Sequence, residues 1–455
     1  MTTNFFARYS SFYFIGICGV SMSALALFCL SAKKRVGGSD VNLAAASKLK
    51  SAGAKVAESG AGGLEDYDVV IYTDAVQRDD PELKLARKLG KPTMSRGRFL
   101  AEVSGMFGSV IAVSGCHGKT TCTAMLANIF RESGRKFAAH IGGNATGMGN
   151  FYSNGTDWFI TEACEYKKNF LYLKPDTAVV LSTEPDHLEC YGDRDELLAC
   201  YRKFASRAQT AVLPAESGLA ADVGGITFGS ASSDFSAHNL KGCDGVYSFT
   251  LCAFGKVQGE VRLKIPGVYN VFNALAAAAA AYAEGIGFRD VKRGLEGFEG
   301  VERRMQLIGR LNGARAVADY AHHPTEIAAA LKTARSFTSG RLFVVFQPHT
   351  YSRTKMLFRQ FVSALSDIKK LLIYRTFAAR EYFDDGGSAL TLARAIKGAK
   401  YGDCPEDIVK FASSVRGGDT VLFLGAGDIY DIARSLIHNV YEGCLLYTSD
   451  AADEL

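Results

Sequence analysis

Residues 109–128 read Ser109-Val-Ile-Ala-Val-Ser-Gly-Cys-His-Gly-Lys-Thr-Thr-Cys-Thr-Ala-Met-Leu-Ala-Asn128. The apolar, β-branched run Val110–Val113 predicts a buried strand, and the run Ala124–Ile129 predicts a helix. Two glycines, a lysine and two threonines lie between them. This order of strand, glycine-rich turn, Lys-Thr pair and helix is typical of a loop that holds the phosphates of a nucleoside triphosphate. We therefore predict an α/β fold built around a phosphate-binding loop.

Each residue type in this loop has a physical role toward a bound phosphate. Backbone N–H groups at the helix N-terminus face the anion, Lys119 reaches the terminal phosphates, and the Thr120 hydroxyl ligates magnesium. The usual spacing places a small residue where Val113 stands, so a glycine turn followed by a chance Lys-Thr pair is the alternative interpretation. The predicted nucleotide-binding residues of the loop are Gly115, Cys116, His117, Gly118, Lys119, Thr120 and Thr121.

The length, charge and cysteine content of the chain limit what it can be. Its 455 residues correspond to roughly two to four domains. The net charge is only +5 and no block of basic residues occurs, so nucleic-acid binding is not indicated. Eleven cysteines are dispersed without a Cys-x-x-Cys pair, which indicates reduced, mostly buried thiols in a cytoplasmic protein.

The N-terminal segment carries no charged residue between Arg8 and Lys33, which is long enough for a membrane span. Gly16, Gly19 and several serines interrupt it, however. We interpret the segment as a strand, Phe12–Ile17, followed by a buried helix, and we expect no membrane association.

A second glycine turn follows this first predicted strand. Gly16, Gly19, Val20 and Ser21 resemble a turn that admits a diphosphate to a helix N-terminus, although Cys18 and Ser21 replace expected glycines. A short strand then ends in Ser39-Asp40, where such folds place a partner for a sugar hydroxyl. The alternative is that Ser39 and Asp40 cap the next helix.

Two polar residues follow strands of the second segment. Glu162 ends the predicted strand Trp158–Glu162, and His187 follows the predicted strand Thr177–Ser182. Ligands bind at this edge of open parallel sheets, so we predict that Glu162 holds magnesium and that His187 is a ligand or a catalytic group. The glycine-rich residues 142–149 are predicted to form a loop, either near the nucleotide or at the surface.

Residues 247–265 alternate in polarity and predict antiparallel strands, and an alanine-rich helix follows at Ala274–Glu284. Asn270 either caps that helix or reads the amino edge of adenine. Arg303 and Arg304 either grip phosphates with their planar guanidinium groups or form a solvated pair.

The third segment has four predicted strands whose ends carry polar residues. Asp319, His322 and His323 follow the first, and His349 and Arg353 follow the second. Gly425–Asp428 follows the last. These strand ends predict a second ligand-binding edge. Residues after about 441 show no core pattern and are expected to form a disordered or non-native tail.

Taken together, the motifs resemble those of the Mur ligases over about residues 10–440. The matching stretches are Phe14–Ala26, Gly115–Thr121, Glu162–Tyr166, Glu184–His187, Asn270–Ala276, Arg303–Arg304, Asp319–Glu326, Phe346–Arg353 and Gly425–Asp428. Cys18 stands where the family has glycine, and Tyr269 stands where it generally has histidine.

The resemblance implies an α/β fold with three domains. Residues 1–105 would form a Rossmann-like domain that binds the UDP end of the substrate. Residues 106–306 would form a central, P-loop ATPase-like domain, and residues 307–441 a second Rossmann-like domain. Residues 442–455 would be the tail.

The resemblance also implies an ATP-dependent amide ligase of peptidoglycan precursor synthesis. Its third-segment motifs resemble the branch that joins L-alanine to the lactyl carboxylate of UDP-N-acetylmuramate through an acyl phosphate, with ADP and phosphate as products. Thr120 and Glu162 would hold the magnesium ion shared with ATP, and Glu162 and His187 would hold a second magnesium ion at the acyl phosphate. We expect a monomer or homodimer.

Further site roles follow from the same resemblance. Asn273 would contact adenine and Asp319 the ribose hydroxyls, while Arg304 would neutralise phosphate together with Lys119. His349 and Arg353 would orient substrate carboxylates. His322 is the candidate base near the incoming amine, because that amine must lose a proton and histidine titrates near neutrality.

Two alternatives remain open. One is another ligase of this type, which loads a murein tripeptide. The other is a non-catalytic nucleotide-binding protein with the same phosphate loop.

Overall fold

The computed structural model describes residues 5–43, 45–184, 190–379 and 381–438. Its strands form three sheets, one in each third of the chain, and parallel strands with intervening helices dominate all three. The predicted α/β fold class is therefore confirmed. His187 and the predicted tail, residues 442–455, lie outside the described residues.

The first sheet is entirely parallel and has the strand order β3-β2-β1-β4-β5. Its central strand is buried over its whole length, because apolar helices cover it. The strands are β1 (Ser11–Ile15), β2 (Arg35–Asp40), β3 (Lys55–Glu58), β4 (Val69–Tyr72) and β5 (Thr93–Ser95), and the helices are α1 (Phe5–Arg8), α2 (Val20–Ser31), α3 (Ala46–Ser51), α4 (Pro81–Lys88) and α5 (Arg96–Ser104).

The second sheet has ten strands in the order β15-β14-β13-β12-β11-β10-β6-β9-β7-β8. Its centre is parallel, and β7/β8 and β14/β15 are antiparallel pairs. The strands are β6 (Ser109–Ser114), β7 (Phe137–Ala145), β8 (Gly149–Ser153), β9 (Trp158–Glu162), β10 (Thr177–Val180), β11 (Thr210–Pro214), β12 (Ile226–Gly229), β13 (Phe235–Cys243), β14 (Val246–Ala253) and β15 (Lys256–Arg262). The helices are α6 (Lys119–Glu132), α7 (Arg194–Ala205), α8 (Gly218–Val223), α9 (Tyr269–Ala283) and α10 (Phe288–Gly297).

The third sheet has the order β16-β17-β21-β18-β19-β20, and only β16/β17 is antiparallel. Apolar clusters cover both of its faces. The strands are β16 (Gln306–Leu311), β17 (Ala314–Asp319), β18 (Leu342–Phe346), β19 (Lys370–Tyr374), β20 (Lys400–Gly402) and β21 (Thr420–Leu424), and the helices are α11 (Pro324–Phe337), α12 (Tyr351–Met356), α13 (Phe358–Leu365), α14 (Ala389–Ala395) and α15 (Pro405–Ala412).

The chain divides into two compact units. The first comprises the chain up to Leu240 together with Ser248–Lys264 and Tyr269–Val301, and the second comprises Lys241–Tyr247, Ile265–Val268 and the chain from Glu302 onward. Among the described helices, none is long and apolar enough to cross a membrane.

One local prediction is wrong, and two interpretations that the sequence left open are excluded. The glycine-rich residues 142–149 are not a free loop, because most of them belong to β7 and β8, which pair as a hairpin with an irregular register. Asn270 is not a helix cap, since α9 already begins at Tyr269. Ser39 and Asp40 do not cap the next helix either, because α3 begins six residues later with Ala45 at its cap position.

Candidate active site

The phosphate loop connects β6 to α6 as predicted, and its two glycines have backbone angles that favour glycine. The φ angles are +126° at Gly115 and +81° at Gly118. A Cβ atom on Gly115 would lie 2.8 Å from the backbone nitrogen of Ser182, in the segment that follows β10. Gly115 therefore lets the loop lie close to the segment after β10. The usual motif would instead have a small residue at the position of Val113.

Cys116 and His117 at the turn of the loop contact the segment after β10. The backbone N–H of His117 donates to Ser182 Oγ at 3.4 Å, and the Cys116 thiol donates to the carbonyl of Glu184. Thr121 is buried in the first turn of α6. These contacts fix the path of the loop.

Asn273 lies directly against the loop. A Cβ on Gly118 would be 2.4 Å from Asn273 Oδ1, so the amide oxygen faces the glycine at the start of α6. Asn273 Nδ2 donates to Asn270 Oδ1 at 3.0 Å, and both residues are buried. The early start of α9 thus brings a buried amide to the nucleotide loop.

Thr120 and Glu162 approach the same pair of glycines in β7. A Cβ on Gly142 would lie 2.5 Å from Glu162 Oε2, and a Cβ on Gly143 would lie 3.1 Å from Thr120 Cγ2. Glu162 Oε1 accepts a hydrogen bond from the Gly142 N–H at 2.5 Å. The hydroxyl and the carboxylate are oxygen ligands of the kind that magnesium prefers, so these residues fit such an ion. In the described ranges, no three His, Cys, Asp or Glu side chains cluster as metal ligands.

Lys119 begins α6 and has a strongly anionic environment. Its ammonium donates to the carbonyls of Gly115 at 2.6 Å and Cys116 at 3.2 Å, and to Glu165 Oε1 at 2.9 Å. Burial alone would lower the pKa of Lys119, but the Glu165 and Glu162 carboxylates outweigh it and raise that pKa above its ordinary value. Lys119 therefore carries a positive charge at neutral pH.

The N-terminal glycine turn follows β1, and Asp40 stabilises it. Gly16 has φ +83°, and its N–H donates to the Ser39 carbonyl at 2.8 Å. Asp40 Oδ2 accepts from the Cys18 N–H at 2.8 Å. Cys18 has no positive φ angle, so the departure from glycine is compatible with the turn. Gly19 directly precedes α2, and Val20 at the start of that helix is half-exposed.

Two serines predicted to bind the UDP end already have protein partners. Ser39 is fully buried and donates its hydroxyl to Glu82 Oε2 at 2.7 Å. Ser21 Oγ lies 2.8 Å from His140 Nε2, and His140 Nδ1 lies 3.0 Å from Thr161 Oγ1. Burial lowers the pKa of His140 to about 3, so this imidazole is neutral. The Ser21–His140–Thr161 contacts join α2 to β7 and β9.

In the second unit, Asp319 fixes the turn that contains the arginine pair. Its Oδ2 accepts from the Met305 N–H and its Oδ1 from the Ala321 N–H, both at 2.8 Å. Burial raises the pKa of Asp319 to about 6, although the nearby Arg304 opposes this shift. The Arg304 guanidinium lies 5.2 Å from the Tyr320 ring centroid.

Arg303 has a different role from its neighbour. Its φ angle is +62°, and its Nη2 donates to the carbonyls of Gly425 at 3.0 Å and Gly427 at 2.9 Å. Arg303 therefore holds the glycine segment after β21, and it is not a solvated side chain.

His322 and His349 lie close together at the carboxyl edge of the third sheet. Their ring centroids are 5.9 Å apart, and the His349 ring stacks on Phe377 at 5.5 Å. Arg353 Nη1 is 3.4 Å from His349 Nδ1, and His322 Nδ1 is 3.5 Å from Glu326 Oε2. Burial lowers the pKa of His322, and it lowers the pKa of His349 to about 4. Both rings are therefore neutral at physiological pH.

Three residues were not predicted as site residues, although each has a clear structural role. Glu165 pairs with Lys119, His140 contacts Ser21, and Arg303 binds backbone carbonyls. Glu165 stands inside a matching motif, but no spacing rule connects it to Lys119, which is 46 residues away. His140 gave no signal because it lies inside an apolar strand.

Known protein families match three consecutive parts of the chain. Residues 11–107 match the family described as "Mur ligase family, catalytic domain", residues 113–281 match "Mur ligase middle domain", and residues 303–427 match "Mur ligase, glutamate ligase domain".

Whole proteins align over nearly the full chain. UDP-N-acetylmuramate–L-alanine ligase of Acetivibrio thermocellus is 36% identical over 94% of this chain and 96% of its own. The ligase of the same name from Lachnospira eligens is 36% identical over 93% of this chain and 97% of its own.

Solved structures give the same result. The crystal structure of UDP-N-acetylmuramate-alanine ligase MurC from Thermotoga maritima has a TM-score of 0.84 and 27% identity, and covers 95% of this chain and 99% of its own. A murein peptide ligase from Psychrobacter arcticus has a TM-score of 0.70 and 25% identity, over 94% and 98% of the two chains. From three matched domains in order, and from relatives aligned over almost the entire length, it follows that this chain belongs to the Mur ligase family.

Proposed function

We propose that this chain joins L-alanine to the lactyl carboxylate of UDP-N-acetylmuramate at the expense of ATP, a step of peptidoglycan precursor synthesis. The observation that carries the proposal is the phosphate loop, with Asn273 against Gly118 and with Glu162 and Thr120 against the adjacent glycines of β7. The full-length similarity to ligases named for this reaction supports the choice of substrates.

The chemistry explains why a nucleotide loop is needed. A carboxylate is a poor acyl donor, so its oxygen attacks the γ-phosphorus of ATP and ADP leaves. The alanine amine then attacks the carbonyl carbon of the acyl phosphate and loses a proton, and inorganic phosphate leaves. The first step brings an anion to a polyanion, and Lys119 and Arg304 neutralise that charge.

One magnesium ion would be bound by Thr120 and Glu162, and a second by Glu162 and His187. The ions would supply positive charge to the phosphate oxygens. The protein's own part is to hold Glu162 in place through the Gly142 N–H.

The second-unit residues have proposed roles that fit their protonation states. His322 is neutral, so its imidazole has the form that a base for the amine requires. His349 and Arg353 would orient substrate carboxylates, and Asp319 would accept from the ribose hydroxyls. Asn273 would contact adenine. Gly16, Gly19, Val20, Ser21, Ser39 and Asp40 would form the UDP-side turn.

An isotope experiment tests the acyl phosphate. UDP-N-acetylmuramate labelled with oxygen-18 in the lactyl carboxylate is turned over with ATP and L-alanine, and the phosphate is analysed by mass. The mechanism predicts one labelled oxygen per phosphate formed. Phosphate without label would contradict it.

A murein tripeptide ligase is the second candidate, because a murein peptide ligase is also structurally similar over nearly the full chain. Competition between L-alanine and the tripeptide, with product mass as readout, separates the two activities. We expect only the alanine product.

We also propose domain boundaries at 1–105, 106–306 and 307–441, with a cytoplasmic monomer or homodimer as the working form. Each range contains one of the three sheets, except that β16 of the third sheet begins at Gln306. Light scattering of the purified chain would determine the oligomeric state.

A further inference from the structure

The phosphate-loop lysine already has a full set of acceptors. An ammonium group has three N–H donors, and Lys119 directs them to two carbonyls of its own loop and to Glu165 Oε1. A phosphate oxygen can therefore reach Lys119 only by displacing one of these acceptors or by sharing a donor with it.

Glu165 is the strongest of the three acceptors because it is charged. Its side chain is only 1% exposed, compared with 17% for Lys119. A buried ion pair of this kind is costly to break, because the partner left behind keeps an uncompensated charge. The ion pair with Glu165 therefore makes it less favourable for Lys119 to bind another anion, such as a phosphate.

The Glu165 carboxylate is also incompletely satisfied. Its Oε2 is buried and has no hydrogen-bond partner among the residues that the structure describes. A purely structural carboxylate would normally have acceptor bonds on both oxygens. Glu165 instead presents one carboxylate oxygen to Lys119, as a bound phosphate would present one of its oxygens.

We propose that Glu165 is an internal counter-ion that occupies Lys119 in the nucleotide-free chain and competes with the nucleotide phosphates for it. The inference rests on the nucleotide use in the proposed function and adds a residue that sets nucleotide affinity. The Glu165 carboxylate keeps the buried ammonium charged and oriented. Nucleotide binding is weaker as a result, because part of the binding free energy is needed to break the ion pair between Lys119 and Glu165.

The test is a direct measurement of ADP affinity in the presence of magnesium, by calorimetry on the full chain. Glu165→Gln keeps the size and an acceptor oxygen but removes the charge, and we expect it to bind ADP about tenfold more tightly than the parent chain. Lys119→Met should weaken binding. In the Lys119→Met background, the added Glu165→Gln change should alter affinity by less than about twofold, because the competition is gone.

Glu184 offers a matched control. Its carboxylate lies 3.6 Å from His117 in the same loop, but it is 60% exposed and makes no contact with Lys119. Glu184→Gln should therefore leave ADP affinity within about twofold of the parent value. An equal gain in ADP affinity in Glu184→Gln and Glu165→Gln would show that both carboxylates simply repel the ADP phosphates. That result would overturn the proposal that Glu165 competes for Lys119.

The remaining outcomes are also decisive. Weaker or unchanged ADP binding by Glu165→Gln would overturn the inference, because Glu165 would then hold Lys119 ready for phosphate or have no influence on it. If Glu165→Gln does not fold, Glu165→Asp shortens the side chain and should give a smaller gain, and no gain there would overturn the inference equally. Failure of the parent chain to bind ADP would instead contradict the proposed function.

Discussion

At the scale of single residues, Gly118 is a position where the nucleotide loop tolerates no side chain. Its φ angle is +81°, and an added Cβ would be 2.4 Å from Asn273 Oδ1. Both the backbone angle and the contact with a buried amide therefore exclude a side chain.

We predict that Gly118→Ala lowers kcat/KM for ATP by at least about 100-fold, because the loop or Asn273 must move. Gly134→Ala is the matched control. Gly134 also has a positive φ, +73°, but an added Cβ there would meet nothing within 4 Å. The control should lose about 1 kcal/mol of stability and keep its ATP kinetics. Equal kinetic losses in both variants would contradict the proposed packing of Asn273 on the loop.

His322 and His323 are neighbours with different roles. His322 is the proposed base, while the side chain of His323 caps α11. We predict that His322→Ala lowers kcat by about 100-fold or more, measured as phosphate release at saturating substrates. His323→Ala should lower the unfolding free energy by about 1 kcal/mol and keep most of the activity. Full turnover in His322→Ala would show that the base assignment is wrong.

At the scale of secondary structure elements, the contact between α2 and the second sheet depends on a neutral histidine. His140 is 3% exposed and lies between Ser21 and Thr161. The folded imidazole stays neutral down to about pH 3, whereas an unfolded histidine gains a proton below about pH 6.5. At acidic pH, protonation of His140 in the unfolded chain therefore lowers the free energy of unfolding.

We predict that the stabilisation from neutral His140 is present above pH 6.5 and falls by about 2 kcal/mol between pH 7.5 and pH 5. Denaturant titrations at the two pH values measure this loss. In His140→Gln the pH-dependent loss should be smaller by about that amount. An unchanged slope in His140→Gln would contradict the buried, neutral assignment.

The element boundaries show what the sequence could predict. Strand β9 was predicted with its observed ends, because the buried strand is an apolar run and the polar Glu162 marks its end. The hairpin of β7 and β8 was missed, since its glycines are typical of loops. Those glycines are needed because Glu162 and Thr120 pack where their side chains would be. That requirement arises from residues distant in the sequence.

Some site residues could likewise be predicted from neighbouring residues in the sequence, whereas others depend on contacts between distant residues. The positions of Lys119 and Glu162 follow from local motifs. The pairing of Lys119 with Glu165 and the use of Arg303 to hold Gly425 and Gly427 depend on the folded chain. His187 lies outside the described residues, so its proposed role stays a prediction.

At the scale of the whole molecule, the three sheets correspond to the three family domains in chain order. The phosphate loop belongs to the first compact unit, and His322, His349 and Arg353 belong to the second. The proposed site roles are therefore assigned to residues of both units.

Phosphate release from ATP by the purified chain, measured with UDP-N-acetylmuramate and L-alanine added separately and together, tests the central claim most directly. We predict rapid phosphate release only when both are present, with an equal amount of the amide product by mass spectrometry. Replacement of L-alanine by L-glutamate or by the murein tripeptide should abolish it. Phosphate release that is indifferent to either substrate, or that the tripeptide supports as well as alanine, would contradict the proposed function.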